Sequence, residues 1–295
     1  MHDWRQLQSR CAGEAARVDN SPAMETYAVA GADGLKLNCV DFGGRGRPPA
    51  LLIHGGAAHA RWWDFVAADL IDRYHVLALD QRGHGDSAWS AEGSYGTRHY
   101  IADLEAVIAR WDFGPPVLIG RSMGGHNVMC HAIRHSARLR AIAVIDSPPN
   151  YPADAVATLR DLAAKPGRRF DSLAEAIAAF RTIPAETIAT PEVLAHVATR
   201  SFRQAGDGKW DYKADRRTMI RDPLPAWDGL KQISCPALFV KPEKSVLPPG
   251  VAEKMVARMP RGRLATVPAS HHHAPLDNPR GLAAALGAFL DEIAA

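Results

Sequence analysis

The sequence predicts an α/β protein in which a mostly parallel sheet is covered by helices on both faces. From residue 24 onward, short apolar runs alternate with longer helical patterns, the order expected of parallel strands joined by crossover helices. The chain has 295 residues, of which 47% are hydrophobic and 23% charged, so it can bury a sizeable core without disulfides or a metal. These observations argue against a disordered chain or a small disulfide-stapled scaffold.

Eight strands are predicted, and the first two form a hairpin around residues 31–34. The strands are expected at residues 26–29, 35–41, 50–53, 75–80, 117–120, 141–146, 237–241 and 264–268. Helical patterns lie between the strands at residues 60–71, 98–111, 123–136, 250–259 and 279–293. Each helix is long enough to connect two parallel strands.

The gap between the sixth and seventh strands is too long for a simple connection. It spans about 90 residues, and a structureless loop of that length is uncommon inside a compact domain. Its apolar spacing predicts short helices at 154–164, 172–181 and 191–202, with a turn at 206–208. We therefore predict a helical cap over residues 147–228, a core formed by residues 24–146 and 229–295, and a polar N-terminal leader at residues 1–23.

The charge pattern and the apolar pattern limit the partners. The net charge is +3, from 35 basic and 32 acidic residues scattered in ones and twos, which argues against a nucleic-acid-binding surface. The first residues contain no uninterrupted apolar segment for a signal peptide, and no stretch reaches the ~18 apolar residues of a membrane helix. No nucleic-acid or membrane partner is predicted.

The cysteines are too widely spaced for a zinc or redox motif, and we expect free thiols in a reducing compartment. The four are Cys11, Cys39, Cys130 and Cys235. Together with the missing apolar segments, this spacing predicts a soluble cytoplasmic protein.

Segment 120–125 carries the clearest chemical signal. It reads Gly-Arg-Ser-Met-Gly-Gly, follows the apolar strand at 117–119 and opens a helical pattern. A serine in such a turn is held in a strained conformation that lifts its hydroxyl above the sheet edge, and the flanking glycines avoid clashes with neighbouring elements. The helix behind the turn also points its first amides at any developing oxyanion. Ser122 is therefore a candidate nucleophile.

Three further segments follow the same order as in a known family. Residues 54–56 read His-Gly-Gly after the third strand, residues 80–87 form a tight turn after the fourth, and residues 271–273 are three histidines followed by Asp-Asn-Pro at 277–279. With the serine turn, these motifs make residues 24–295 resemble the α/β-hydrolase fold superfamily, with its eight-stranded sheet and, in capped members, a helical insertion after the sixth strand. The resemblance implies that the N–H groups of Gly56 and Met123 form an oxyanion hole, and that His54 shapes the loop.

A serine nucleophile needs a general base late in the chain if the family order of nucleophile, acid and histidine holds. In similar proteins the catalytic histidine lies seven residues before the proline that begins the last helix, so Pro279 points to His272, with His271 as the alternative. Three adjacent histidines could also suggest a metal site. Neighbouring side chains in an extended loop point in different directions, and no carboxylate or cysteine is spaced to complete a ligand set, so no metal is predicted.

The carboxylate that would complete the triad does not stand where most members of the family carry it. Many relatives carry Gly-x-x-Asp after the seventh strand, whereas residues 241–246 read Lys-Pro-Glu-Lys-Ser-Val, with Glu243 as the only carboxylate. Asp146 ends the sixth strand at the same sheet edge as Ser122, where some members of the fold place their acid. We favour Asp146 as the triad acid. Two alternatives stay open, namely Glu243 as the acid and a structural role for Asp146, capping its strand or pairing with Arg121.

The resemblance implies a serine hydrolase that cleaves a small ester, lactone, thioester or related carbonyl compound through an acyl-enzyme on Ser122, without a cofactor. We expect a small-molecule substrate and a monomer or homodimer. A carbon–carbon bond hydrolase or a cofactor-free dioxygenase on the same fold is the alternative enzyme, and a ligand-binding pseudoenzyme is the alternative of another class. Haloalkane dehalogenases and epoxide hydrolases are disfavoured because their turn carries aspartate in place of Ser122.

Overall fold

A computed structural model describes residues 24–110, 114–220 and 222–294 of the chain. The predicted leader at 1–23 and the predicted helix end at residue 111 lie outside the described residues. The described strands are β1 (Glu25–Ala30), β2 (Lys36–Gly43), β3 (Pro49–Ile53), β4 (His75–Asp80), β5 (Val117–Arg121), β6 (Ala141–Ile145), β7 (Arg169–Phe170), β8 (Phe202–Gln204), β9 (Trp210–Tyr212), β10 (Ala237–Pro242) and β11 (Gly262–Val267).

Eight of these strands form one mostly parallel sheet, as predicted. Their order is β1-β2-β4-β3-β5-β6-β10-β11. The hairpin β1–β2 and the pair β2–β4 are antiparallel, and the other neighbours are parallel. The strand ends differ from the prediction by at most two residues, and β4 matches it at both ends. Strand β6 stops at Ile145, because Asp146 has a φ of 44°, in the left-handed region that leaves the strand path.

The described helices are α1 (Asp64–Ala67), α2 (Thr97–Arg110), α3 (Met123–His135), α4 (Ala153–Ala164), α5 (Leu173–Ala179), α6 (Pro191–Arg200), α7 (Val251–Arg258), α8 (Ala274–Asp277) and α9 (Pro279–Ala294). The predicted helix at 60–71 is wrong in its extent. A 3₁₀ turn at Ala60–Trp63 precedes the single turn of α1, and later N–H groups bond three residues back, as Leu70 does to Ala67. Trp62, Trp63 and Phe65 are all buried, so this segment packs in the interior on more than one side. That packing, and not a single apolar helix face, determines its conformation.

Two apolar clusters cover the two faces of the sheet. One face packs Leu52 and its neighbours against Leu286 and Leu290 of α9. The other packs Leu51 against α2, α3 and α7, including Met129 and Met255. Successive residues of β3 enter opposite clusters because side chains alternate across a strand. The central strands of the sheet are therefore buried between two helical layers.

The segment 147–228, named the cap segment here, contains more than helices. Helices α4, α5 and α6 lie near the predicted positions, but β7, β9 and β8 also form a three-stranded antiparallel sheet. The sequence predicted helices and a turn in this segment and did not predict these three strands. Strands of two or three residues are too short to show an alternating pattern in the sequence. That residues 147–228 form a separate domain stays a prediction.

The cap segment packs onto the chain that follows β3. Phe180 and Phe202 of the cap segment share an apolar cluster with Trp62, Phe65 and Leu276. This cluster joins the cap segment both to the residues after β3 and to α8, which directly follows the three histidines.

Buried polar contacts fix the same junction. The ring Nε2 of His196 donates to Asp64 at 2.7 Å, with both groups inside the protein. The hydroxyl of Tyr212 donates to the carbonyl of Ala57 at 2.7 Å. Residues of the cap segment therefore hold the chain that follows β3 through hydrogen bonds.

No helix among residues 24–110, 114–220 and 222–294 is long and apolar enough to cross a membrane. Cys39, Cys130 and Cys235 are buried free thiols.

Candidate active site

Ser122 occupies a strained turn between β5 and α3. Its backbone has φ 53° and ψ −120°, outside the region that a serine prefers, and its N–H donates to the carbonyl of Ile145 at 2.9 Å. Close packing requires glycine on both sides of the turn. A Cβ on Gly120 would lie 2.4 Å from the carbonyl oxygen of Gly124, and a Cβ on Gly124 would lie 2.4 Å from that of Ile53. The turn is therefore pressed against β3 with Ser122 at its apex.

Ser122, His272 and Asp146 form one hydrogen-bonded chain. The Oγ of Ser122 lies 3.0 Å from Nε2 of His272, and Nδ1 of His272 lies 2.7 Å from Oδ2 of Asp146. An ionised carboxylate only accepts hydrogen bonds, so the proton is on Nδ1 and Nε2 is left to accept the serine proton. The three predicted residues, which follow β5, β6 and β11, thus meet at one edge of the sheet.

The alternative residues lie elsewhere. Glu243 is exposed and accepts the N–H of Ala269 at 2.8 Å. His271 donates its backbone N–H to Asp277 at 2.8 Å. The ring of His273 bonds the guanidinium of Arg121, which belongs to β5. Of the candidates weighed for the base and the acid, His272 and Asp146 are the pair in contact with each other and with Ser122.

Asp146 is fully buried, and the turn after β10 supplies two of its hydrogen bonds. The hydroxyl of Ser245 donates to Oδ1, and the N–H of Val246 donates to Oδ2 at 3.2 Å. Ser245 therefore holds the carboxylate from the turn in which many relatives carry an aspartate. This role of Ser245 was not predicted, because a serine in that turn is not itself a candidate acid. A hydroxyl in that turn, facing an acid at the end of β6, is the signal that could have found it.

The electrostatics of His272 favour the neutral ring. Burial lowers its pKa below the ordinary value, the positive charge of Arg121 lowers it further, and the hydrogen bond to Asp146 acts in the opposite direction. Burial also lowers the pKa of Arg121 to about 10, so this side chain still carries its charge at neutral pH. His272 is thus arranged to accept a proton in neutral solution.

The loop at residues 54–57 passes close to Ser122. A Cβ on Gly55 would lie 3.2 Å from Cβ of Ser122. Nδ1 of His54 donates to the carbonyl of Gly55 at 2.7 Å, and its Nε2 accepts the N–H of Gln81 at 3.0 Å. Burial holds the pKa of His54 well below its usual range, so this ring is a neutral hydrogen-bonding group within the loop.

The two predicted oxyanion donors are chain neighbours of the residues in this contact. Gly56 follows Gly55 in the 54–57 loop, and Met123 follows Ser122 as the first residue of α3, where a helix leaves N–H groups without an intrahelical acceptor. Their role as an oxyanion hole stays a prediction.

The three histidines are arranged differently from a metal site. The ring of His272 bonds Asp146, whereas the ring of His273 donates Nε2–H to the carbonyl of Pro184 at 2.7 Å. Within residues 24–110, 114–220 and 222–294, no group of three or more histidine, cysteine, aspartate or glutamate side chains is placed to hold a metal ion.

Comparison with known proteins identifies the family. A model of the alpha/beta hydrolase family matches residues 50–285, well over half of the chain. The chain belongs to the α/β-hydrolase family. This membership confirms both the family resemblance and the predicted fold class.

Relatives of this α/β-hydrolase are enzymes. It is 26% identical over 256 residues to the 2-(acetamidomethylene)succinate hydrolase of Mesorhizobium japonicum, with 83% of this chain and 88% of that protein covered. It is 26% identical over 228 residues to an esterase of Mycobacterium tuberculosis, with 75% and 74% covered. A crystal structure of an α/β hydrolase from Novosphingobium aromaticivorans matches with a TM-score of 0.75 at 26% identity, covering 91% and 98%. The chain is therefore an enzyme of the hydrolase class.

The close packing at Gly124 yields a stability prediction. Gly124→Ala forces a Cβ against the carbonyls of Ile53 and His54, so we expect the free energy of unfolding to fall by about 2 kcal/mol or more. Urea unfolding of the purified variants measures this change. Gly206→Ala is the matched control, because Gly206 lies in an exposed turn with open space around it, and we expect a change within about 0.5 kcal/mol. Equal losses in the two variants would contradict the packing argument.

Proposed function

We propose that this α/β-hydrolase is a serine hydrolase that cleaves a small ester, lactone or related carbonyl substrate through an acyl-enzyme on Ser122. The observation that carries the proposal is the hydrogen-bonded chain from Ser122 through His272 to Asp146, with the serine in a strained turn. A neutral imidazole in contact with a hydroxyl is the arrangement that activates a weak oxygen nucleophile. The esterase and the acetamido-substrate hydrolase among its relatives are in keeping with acyl-transfer chemistry.

In the first half-reaction, Oγ of Ser122 attacks the substrate carbonyl carbon while Nε2 of His272 takes its proton. The N–H groups of Gly56 and Met123 stabilise the oxyanion of the tetrahedral intermediate. Asp146 keeps the proton on Nδ1 and stabilises the imidazolium that forms. The intermediate collapses as His272 returns the proton to the leaving group, and the acyl group stays on Ser122.

In the second half-reaction, water attacks the acyl carbon and gives a proton to His272. The second tetrahedral intermediate collapses, the acid product leaves, and His272 returns the proton to Ser122. No step needs a cofactor. The fixed donors cost no rearrangement at the moment of reaction, since the turn and the 54–57 loop are already held by β3 and the cap segment.

A small, partly apolar substrate is proposed because an apolar cluster lies beside the loop that carries His272, where Trp62 contacts the ring of His273. Trp62, Phe180 and Phe202 belong to the apolar cluster between the cap segment and the chain after β3. Ligand sites that bury small molecules are lined mainly by such side chains, with a few polar groups that fix the reacting atoms. The three described free thiols suit the reducing cytoplasm, and we propose a cytoplasmic enzyme that acts as a monomer or homodimer.

Turnover by Ser122 is the first test. We expect wild-type protein to hydrolyse at least one member of a panel of p-nitrophenyl esters, lactones and p-nitroanilides, and Ser122→Ala to lose about 10³-fold or more in kcat because the attacking atom is removed. Reaction of Ser122 with a fluorophosphonate, read by intact-protein mass spectrometry, reports the nucleophile without a substrate. Unchanged turnover in Ser122→Ala, or no labelling of wild type, would contradict the proposal.

The identity of the acid is a second test. Asp146→Asn keeps the size of the side chain but removes the charge that orients His272, so we expect kcat to fall by about 10³-fold or more. Glu243→Gln is the matched control, because Glu243 is exposed and its carboxylate accepts the loop N–H of Ala269, away from His272. We expect near wild-type rates for that variant. The opposite result would assign the acid to Glu243.

The pH dependence follows from the lowered pKa of His272. The base acts only when neutral, and a ring is neutral above its pKa, so activity should be lost as the pH falls through the folded-state pKa. Because burial and Arg121 place that pKa below 6.5, we expect the acid limb of kcat/KM to have its midpoint below pH 6.5. The midpoint is measured from the kcat/KM of one ester between pH 4 and pH 9. A midpoint above 7 would show that His272 is not held neutral.

A further inference from the structure

Arg121, the residue directly before Ser122, is a buried cation with an unusual set of partners. It is 2% exposed. Its Nε donates to the backbone carbonyl of His272 at 3.1 Å, and its Nη2 donates to Nδ1 of His273. Its guanidinium carbon lies 5.4 Å from the centre of the Trp62 ring, at a distance typical of a cation–π contact. Its hydrogen bonds thus reach two successive residues of the loop that carries the general base.

These bonds determine the state of His273. A guanidinium only donates, so Nδ1 of His273 must accept and its proton must lie on Nε2. Nε2–H then donates to the carbonyl of Pro184 in the cap segment at 2.7 Å. Burial and the charge of Arg121 hold the pKa of His273 low, to about 2, so the ring stays neutral. His273 is therefore a fixed connection between Arg121 and the cap segment.

Because Arg121 is next to Ser122 in the chain, its contacts join the strand that precedes Ser122 to the histidine loop. Its backbone belongs to β5, and Ser122 is the next residue, whereas its side chain holds the loop at 271–273. On the other side of that loop, the N–H of His271 bonds Asp277, whose carboxylate also accepts the N–H of Ile188 at 3.0 Å. The loop is thus bonded to the nucleophile strand at one end and to the cap segment at the other. Misplacement of reacting groups by about 1 Å is costly in rate, so such a bond has catalytic value.

We propose that Arg121 is a positioning residue, which bonds the main chain of His272 and the ring of His273 and so fixes the general base to the strand that carries the nucleophile. This inference rests on the proposed serine hydrolase function. A lysine in the same place would keep the positive charge but could not span both partners, since it lacks the planar fork of the guanidinium. A methionine would remove both the charge and the donors.

The charged and titratable groups that face His272 predict a signature that a purely structural role would not give. Asp146 after β6 and Asp277 in α8 favour the protonated ring, whereas Arg121 from β5 disfavours it. The rings of His271 and His273, its neighbours in the chain, are the other titratable groups named beside His272. Removing Arg121 should therefore raise the pKa of His272. Replacing Arg121 by lysine should leave it near the wild-type value.

The test compares Arg121→Lys and Arg121→Met, with p-nitrophenyl butyrate as the substrate over pH 4 to 9. We expect both variants to lose about 10- to 100-fold in kcat, with little change in KM, because the base is less well placed. We also expect the acid limb to move to higher pH in Arg121→Met and to stay near its wild-type position in Arg121→Lys. Arg263→Met is the matched control, because Arg263 is exposed and pairs with Glu292 far from these contacts, and it should keep wild-type values.

Two kinetic results would overturn the inference. One is a wild-type kcat and acid limb in Arg121→Met. The other is full recovery of kcat by Arg121→Lys, which would show that charge suffices without the paired bonds. If Arg121→Met does not fold, a wild-type kcat in Arg121→Lys still overturns the inference and a reduced one supports it.

A measurement without substrate separates this inference from the proposed function. The Nδ1 proton of a histidine bonded to a carboxylate gives a far-downfield proton resonance, which reports the placement of His272 against Asp146. We expect this resonance in wild type and in Arg263→Met, and its broadening or loss in both Arg121 variants. Its persistence unchanged in the Arg121 variants would overturn the positioning role. Absence of Ser122-dependent turnover and labelling in wild type would instead count against the proposed function.

Discussion

The backbone at Ser122 is the constraint on which the rest of the site depends. A serine with a φ of 53° occupies a conformation that costs of the order of 1–3 kcal/mol and persists only where the surroundings impose it. Here β5, α3 and the carbonyl of Ile53 impose it, and Gly120 and Gly124 leave the space. The hydroxyl is thereby held beyond the sheet edge. His272 and the 54–57 loop are arranged around that fixed point.

The groups around Ser122 are held by neighbours that have no part in the proposed reaction. Ser245 and Val246 hold the carboxylate of Asp146, Tyr212 holds the 54–57 loop, and Asp277 holds the histidine loop. Each of these hydrogen bonds is partly buried, which limits the competition from water for the same donors and acceptors. Preorganisation in this site therefore comes from contacts between elements that are distant in sequence.

The sheet was predictable because its strands are short apolar runs bounded by turns, and the position of Ser122 was predictable because the local glycine spacing has a single steric reason. The helix expected at 60–71 failed since Trp62 and Phe65 are buried from several sides, which erases helical periodicity. The small sheet of β7, β8 and β9 has strands too short to show a pattern. The sequence favoured Asp146 over Glu243 but left both open, because loop geometry decides which carboxylate reaches the histidine. The hydroxyl of Ser245 becomes a signal only when Asp146 is taken as the acid.

The place of Asp146 after β6 also bears on the order in which parts of the protein fold. Ser122 and Asp146 belong to one continuous β–α–β unit, β5–α3–β6, and the N–H of Ser122 bonds the residue that precedes Asp146. Contacts of short sequence separation form at lower entropic cost than distant ones. We expect Ser122 and Asp146 to come together early in folding, whereas His272 reaches them only when the C-terminal region has packed against the core and the cap segment. Reactivity at Ser122 then reports that the last part of the chain is in place.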